Sequence, residues 1–150
     1  MDLSYSAEYE AFREEVRRFL EQSWSDEEKA EVAGRGEQII GGITKPGLRE
    51  TAFRIKATEA GYLYRNVAKA YGGGEQPFDP LKSAIIREEF RKAGAPREMI
   101  GQGPSMLVPT LLEYGRDDQK EKFVRDTLLG KILWCQGYSE ARSLPAPGSL

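Results

Sequence analysis

The stretch K-I-L-W-C-Q-G-Y-S-E, Lys131 to Glu140, is where the pattern of this 150-residue chain changes. Ile132, Trp134, Gln136 and Tyr138 alternate with Leu133, Cys135, Gly137 and Ser139, and β-favouring and aromatic side chains dominate. The alternation predicts one short strand. A strand alone leaves a row of backbone N–H and C=O groups unpaired. The residues that follow, A-R-S-L-P-A-P-G-S-L from Ala141 to Leu150, supply no second strand.

Upstream of Lys131 the period is helical. Phe12, Val16, Phe19 and Leu20 fall at i, i+4, i+7 and i+8 and predict a helix from about Ser6 to Gln22. Ser25 to Glu28 has the form of a capping box and opens a short second helix. That helix fades into Gly34, Gly36 and a flexible Gly41–Gly42 connection. Thr44 is expected to cap a third helix with Pro46 in its first turn, Leu48, Ala52, Phe53 and Ile55 as apolar positions, and Gly61 as its stop. A run from Gly61 to Gly74 then carries Tyr62, Tyr64, Val67 and Tyr71. Asp79 before Pro80 marks a helix start that turns Leu81, Ile85, Ile86 and Phe90 inward and stops at Gly94. Met106 to Tyr114 forms another, with Pro109 in its first turn or at a kink. Asp118 to Glu121 opens a last helix through Phe123, Val124 and Leu128 to Gly130. The fold class is therefore all-α: a bundle of about five or six helices with a single short C-terminal strand segment. Phe12, Val16, Ile85, Ile86, Phe90, Leu111, Leu112 and Phe123 are its expected core.

Composition narrows the chemistry. Charged residues make up 31% and hydrophobic ones 39%, with a net charge of −2, a globular balance that argues against nucleic acid as principal partner. A chain of this length buries roughly 68–70% of its unfolded surface, so a core forms without disulfides or metal. There is no histidine, the commonest general base and metal ligand, and one cysteine, so neither a disulfide nor a zinc cluster is expected. No apolar run approaches the ~18 residues of a membrane span. The acidic N-terminus lacks the pattern of a signal peptide, and the cytoplasm is the expected location.

Each candidate motif has a plainer reading that outweighs the chemical one. Gly72-Gly73-Gly74 is followed by Glu75, Gln76 and Pro77 rather than by Gly-Lys-Ser/Thr, and reads as a turn, not a phosphate cradle. Glu88 and Glu89 are adjacent on a helix and read as a solvated face rather than a carboxylate pair. Cys135 has no histidine to activate it and reads as a small buried hydrophobe. Ser139 lacks the Gly-x-Ser-x-Gly setting of a hydrolase nucleophile. Tyr62, Tyr64 and Tyr71 read as packing residues before they read as a ring-stacking site. No catalytic constellation and no metal site emerge, and a helical interaction module is as consistent with the residues as an enzyme part.

The order of the pieces adds what the pieces lack. F-R-E-E-V-R-R-F-L (Phe12 to Leu20), Gly61-Tyr62, Y-G-G-G (Tyr71 to Gly74), R-E-E-F (Arg87 to Phe90), P-T-L-L-E-Y-G-R-D-D-Q-K-E-K-F (Pro109 to Phe123) and W-C-Q-G-Y-S-E (Trp134 to Glu140) together resemble the N-terminal α-helical domain of the acyl-CoA dehydrogenase family. The resemblance runs through Glu140. It implies a larger fold of helical domain, β-barrel and C-terminal four-helix domain. It also implies FAD as hydride acceptor from an acyl-CoA thioester, a glutamate of the C-terminal domain as base, and an electron-transferring flavoprotein as partner. Ser139 matches the family's hydroxyl that hydrogen-bonds the flavin, with Gln136 and Tyr138 beside it; these three are the expected cofactor-binding residues. The family's next residues, Glu-Pro-Gly-small-Gly-Ser-Asp, are not matched: Ala141-Arg142-Ser143-Leu144 follow Glu140. The expected organisation is residues 1–130 as the helical domain, 131–140 as the first strand of an absent barrel, and 141–150 as a divergent tail, in a chain that neither retains FAD nor turns over alone. An apolar surface from Met106 to Leu112 and Trp134 to Tyr138 is expected to drive self-association. The alternative is a free-standing helical interaction protein on the same fold.

Overall fold

A computed structural model describes residues 6–34, 39–40, 43–44 and 46–137. The helices are α1 (Ala7–Ser23), α2 (Asp26–Gly34), α3 (Leu48–Glu59), α4 (Pro80–Lys92), α5 (Val108–Tyr114) and α6 (Asp117–Leu128). A 3₁₀ turn (Lys69–Tyr71) precedes α4, and a π-helical turn (Gly103–Leu107) leads into α5. Two strands of two residues each, β1 (Ile39–Ile40) and β2 (Ile43–Thr44), pair antiparallel. The all-α bundle expected from the sequence is the fold.

Its starts and stops follow local chemistry. Ser25 N donates to Glu28 Oε2 at 2.9 Å and Glu28 N to Ser25 Oγ at 3.3 Å, the reciprocal capping box read from the sequence. Asp79 Oδ1 accepts from Lys82 N at 2.9 Å, and Pro80 has no N–H to strand. The start of α3 differs from expectation. Thr44 lies in β2, and Gly47 takes the cap position, its N–H donating to Glu50 Oε2 at 2.6 Å. The last helix likewise begins earlier than expected, at Asp117, with Arg116 N donating to Gln119 Oε1. Pro109 sits at the head of α5, where its missing N–H costs little.

The core gathers Val16, Leu20, Trp24, Phe53, Tyr62, Phe90, Val124 and Leu128. Phe53 sits at its centre, with ring centroids 5.0 Å from Trp24, 5.8 Å from Phe90 and 6.0 Å from Phe19, spacings typical of tilted aromatic pairs. Of the expected core, Val16, Ile85, Ile86 and Phe90 are buried. Phe12, Leu111, Leu112 and Phe123 are half-buried, at the rims of their helices. Leu81, expected to turn inward, is 43% exposed: it lies in the first turn of α4 at the edge of the inward stripe.

Three sequence readings are corrected. Lys131 to Gly137 form no strand: a strand needs a partner's ladder, and none of the described residues provides one. The rest of the expected strand, Tyr138 to Glu140, and the 141–150 tail lie outside the described residues, as do Gly36 and the Gly41–Gly42 pair. Cys135 is exposed, not buried, since without a strand its side chain has no sheet face to enter. Glu89 is buried at 4% exposure. It follows Ile85 by four residues and Ile86 by three, so helical phase carries it inward, where Arg13, Arg17 and Lys92 neutralise it.

Candidate functional site

The chain leaves its last helix through a pinned exit. Thr127, in the last turn of α6, is buried, and its Oγ1 accepts from Trp134 Nε1 at 2.8 Å. Phe123, one turn earlier, meets the Trp134 ring edge-on with centroids 5.6 Å apart. The π-helical turn closes on the same point: a Cβ on Gly103 would stand 2.6 Å from Trp134 Cδ1 and 2.8 Å from Thr127 Cγ2. Only a residue without a side chain permits that approach. Beyond the anchor, Cys135, Gln136 and Gly137 emerge exposed. Of the three residues expected at the cofactor, Gln136 is thus on the surface at the exit, while Tyr138 and Ser139 lie outside the described residues.

A second clamp fixes the loop before the π turn. Tyr64 donates its buried hydroxyl to Leu128 O and receives a hydrogen bond from Met99 N at 2.8 Å. Its own N–H donates to Glu98 Oε1 at 2.6 Å, and Arg54 Nε donates to Arg97 O at 2.7 Å. Burial pushes the Tyr64 phenol up to about 12, so it stays a neutral donor at any ordinary pH. Burial also lowers the Arg54 pKa, and Arg54 Nη1 has no hydrogen-bond partner among the described residues. Held between the Tyr64 clamp and the Trp134 anchor, the connecting segment presents Ile100, 81% exposed, and Met106, 53% exposed, to the outside. These are apolar side chains on a segment tied down by hydrogen bonds on either side.

The other motifs resolve into structure. The N–H groups of Gly72, Gly73 and Gly74 donate to Lys69 O, Ala68 O and Tyr64 O, so none is left to hold a phosphate. Beside them a cleft of about 350 Å³ lies between α3, the 3₁₀ turn and α6, lined by Thr58, Glu59, Lys69 and Arg125; neither Trp134 nor Gln136 lines it. Tyr62 and Tyr64 are core residues, and Tyr71 is half-buried. Among the described residues no three His, Cys, Asp or Glu side chains group as metal ligands, and no helix is long and apolar enough to cross a membrane. Sequence reading missed the Tyr64 clamp, since no local signal links residues 35 positions apart. It also missed the pairing of Thr127 with Trp134, although Trp134 seven residues beyond a helix-terminal threonine was visible.

Comparison with known proteins gives this arrangement its class. Residues 6–131 match the N-terminal domain of acyl-CoA dehydrogenases. A solved structure, the ChsE4–ChsE5 complex from Mycobacterium tuberculosis, shares the fold at a TM-score of 0.58 and 24% identity over 95% of this chain and 33% of that one. The chain belongs to the acyl-CoA dehydrogenase family. It is similar to the acyl-CoA dehydrogenase FadE34 of M. tuberculosis, 33% identical over 121 residues that cover 80% of this chain and 16% of that protein. It is also similar to the acyl-CoA dehydrogenase IpdE1 of Mycolicibacterium smegmatis, 30% identical over 137 residues, 89% of this chain and 33% of that protein. The chain thus spans a third or less of the length of these relatives.

Proposed function

We propose that this chain supplies the helical, substrate-side part of an FAD-dependent acyl-CoA dehydrogenase and does not dehydrogenate acyl-CoA by itself. The observation that carries the reading is the exit pinned by Trp134 and Thr127, which brings Gln136 out exposed where the family match ends at residue 131. An exposed amide on an anchored segment suits the polar edge of a flavin ring. It is one edge: the cleft between α3, the 3₁₀ turn and α6 does not include Trp134 or Gln136. Gln136, with Tyr138 and Ser139 following it, would hold that edge; bound FAD supplies the hydride acceptor. Ile100 and Met106 offer apolar surface from which water is excluded once a thioester or a neighbouring domain covers it.

The engagement of several carboxylates supports assigning the proton step to another part of the enzyme. Removing an α-proton needs a base within hydrogen-bond reach, held in a dry pocket. Glu88 and Glu89 are committed to ion pairs, and Glu50 and Glu98 accept from backbone N–H groups. The base implied by the family resemblance belongs to its C-terminal domain, and transfer of electrons to an electron-transferring flavoprotein belongs to the assembled enzyme, in a soluble, cytoplasmic setting.

Complementation tests this reading. The chain is co-expressed with the part of the M. smegmatis IpdE1 relative that lies outside its match to this chain and purified through a tag on the chain. Flavin that co-purifies, and is reduced in yield by Ser139→Ala or Gln136→Ala without loss of the partner, is the expected result. A stable complex that carries no flavin would contradict it.

A further inference from the structure

The cleft between α3, the 3₁₀ turn and α6 has a buried floor and a charged rim. Its volume of about 350 Å³ lies at the small end of the ~300–1,000 Å³ typical of ligand sites. Thr58, Gly73 and Leu129 line it as buried residues, while Glu59, Lys69 and Arg125 line it as exposed ones. Gly72 is the point on which the two cations converge. It closes the 3₁₀ turn at φ +83°, its N–H donating to Lys69 O at 2.9 Å. A Cβ on Gly72 would stand 2.7 Å from Arg125 Cγ and 3.0 Å from Arg125 Cβ, so glycine is what lets the arginine stem lie against the turn.

Neither cation is neutralised. Glu121 precedes Arg125 by four residues on α6, the spacing that favours a helical ion pair, yet none joins them. Glu75, the carboxylate nearest Lys69 in sequence, accepts from the Lys69 backbone N–H at 3.4 Å instead of from its ammonium. Among the described residues no ion pair or hydrogen bond reaches the Lys69 ammonium or the Arg125 guanidinium. The whole chain carries a net charge of −2, so this pair is a local feature and not part of a generally basic surface. Two cations beside one glycine suit a compact dianion, whose oxygens accept from both, better than two carboxylates held apart. A phosphomonoester, with a charge of about −1.5 to −2 at neutral pH, is such a group. The rest of the lining offers acceptors. Thr58 Oγ1 already gives its proton to Arg54 O at 2.7 Å, so towards a ligand it can only accept, and the Glu59 carboxylate has no ion pair among the described residues.

We infer that this cleft binds a small phosphomonoester bearing hydroxyl groups, its phosphate on Lys69 and Arg125 and its hydroxyls donating to Glu59 and Thr58. The N–H groups of Gly72 and Gly73 take no part, because the loop itself engages them. The inference goes beyond the flavin reading and does not depend on it.

The test is amide chemical-shift titration of the 150-residue chain with glycerol 3-phosphate, glucose 6-phosphate, inorganic phosphate and succinate. At least one of the two esters gives saturable shifts confined to residues 55–59, 69–73 and 125–129, and binds about tenfold tighter than inorganic phosphate or succinate. Lys69→Gln and Arg125→Gln, both on exposed side chains, each weaken that ester by about tenfold or more, the loss of one charge-assisted hydrogen bond. Glu59→Gln weakens the ester but not inorganic phosphate. Arg91→Gln, an exposed cation on α4, leaves binding unchanged. Circular dichroism checks that the variants stay helical. The inference is overturned by the absence of saturable ester binding, or by binding that survives both Lys69→Gln and Arg125→Gln. It is equally overturned if inorganic phosphate or succinate binds as tightly as the esters, or if Arg91→Gln weakens binding as much as Arg125→Gln does.

Discussion

Arg13 and Glu89 meet inside the protein, the guanidinium Nη1 2.5 Å from the carboxylate Oε1, with both residues buried. Glu89 also receives Arg17 Nε at 2.9 Å and Lys92 Nζ at 3.2 Å, while Arg13 reaches Glu88 at 2.9 Å. The cluster fastens α1 to α4 along their parallel courses, between the Lys82–Glu8 pair at one end and the hydrogen bond from Trp24 Nε1 to Gly94 O at the other.

Burial alone would raise the Glu89 pKa, but hydrogen bonds from Arg17, Arg13 and Lys92 outweigh it and hold the carboxyl down to about 2. A depressed carboxylate stabilises the fold above its ordinary pKa near 4.5 and loses that contribution as pH falls from there toward 2. Thermal unfolding of the wild type should therefore fall steeply over that acid window, and Glu89→Gln should flatten the dependence. At neutral pH Glu89→Ala leaves the buried Arg13 guanidinium with Glu88 and Glu10 as its remaining partners and should cost less than the ~3–5 kcal/mol of stranding a buried charge outright. The double variant Arg13→Met/Glu89→Leu should recover most of that, and denaturant unfolding of the four-member cycle is the check.

Gly103 carries a packing prediction. A methyl group there enters the Trp134 ring and the Thr127 methyl, and overpacking of this kind costs about 1–3 kcal/mol. Gly103→Ala should lower the melting temperature and shift Trp134 fluorescence. Gly137→Ala, where a Cβ meets nothing within 4 Å, should change neither.

Tyr64→Phe removes one oxygen and orphans two buried groups, Leu128 O and Met99 N. Each unsatisfied group costs about 1–3 kcal/mol, so equilibrium unfolding should show a loss well beyond that of Tyr71→Phe, whose hydroxyl makes one long, exposed contact to Asp117. Amide hydrogen exchange at residues 97–102 should quicken in the Tyr64 variant and not in the other.

How far the sequence reached follows from which forces are local. Ser25–Glu28 and Asp79–Pro80 act within four residues, and both starts were legible. The 3.6-residue stripe through Val16, Leu20, Ile86 and Phe90 gave the bundle. Glu89 was misread because its charge was weighed above its phase, although Ile85 and Ile86 already marked the inward side. The Lys131–Glu140 alternation suggested a strand, yet pairing is a property of two segments and cannot be read from one. Gln136 was placed by family resemblance alone; its exposure depends on Trp134 reaching back to Thr127, a contact that becomes visible only in three dimensions.

Under the proposed function this chain offers one edge of a flavin site and does not hold the cofactor unaided. One wall recovers too little contact to offset the freedom a large ligand loses on binding, and about 1 Å of misplacement at a reacting centre can cost ~100-fold in rate. The direct measurement is to incubate the purified chain with excess FAD, remove free cofactor by gel filtration, and record retained flavin absorbance and dye reduction with a panel of acyl-CoA thioesters. The expected result is colourless protein and no turnover. Stoichiometric yellow protein, or dye reduction that Ser139→Ala abolishes, would contradict it.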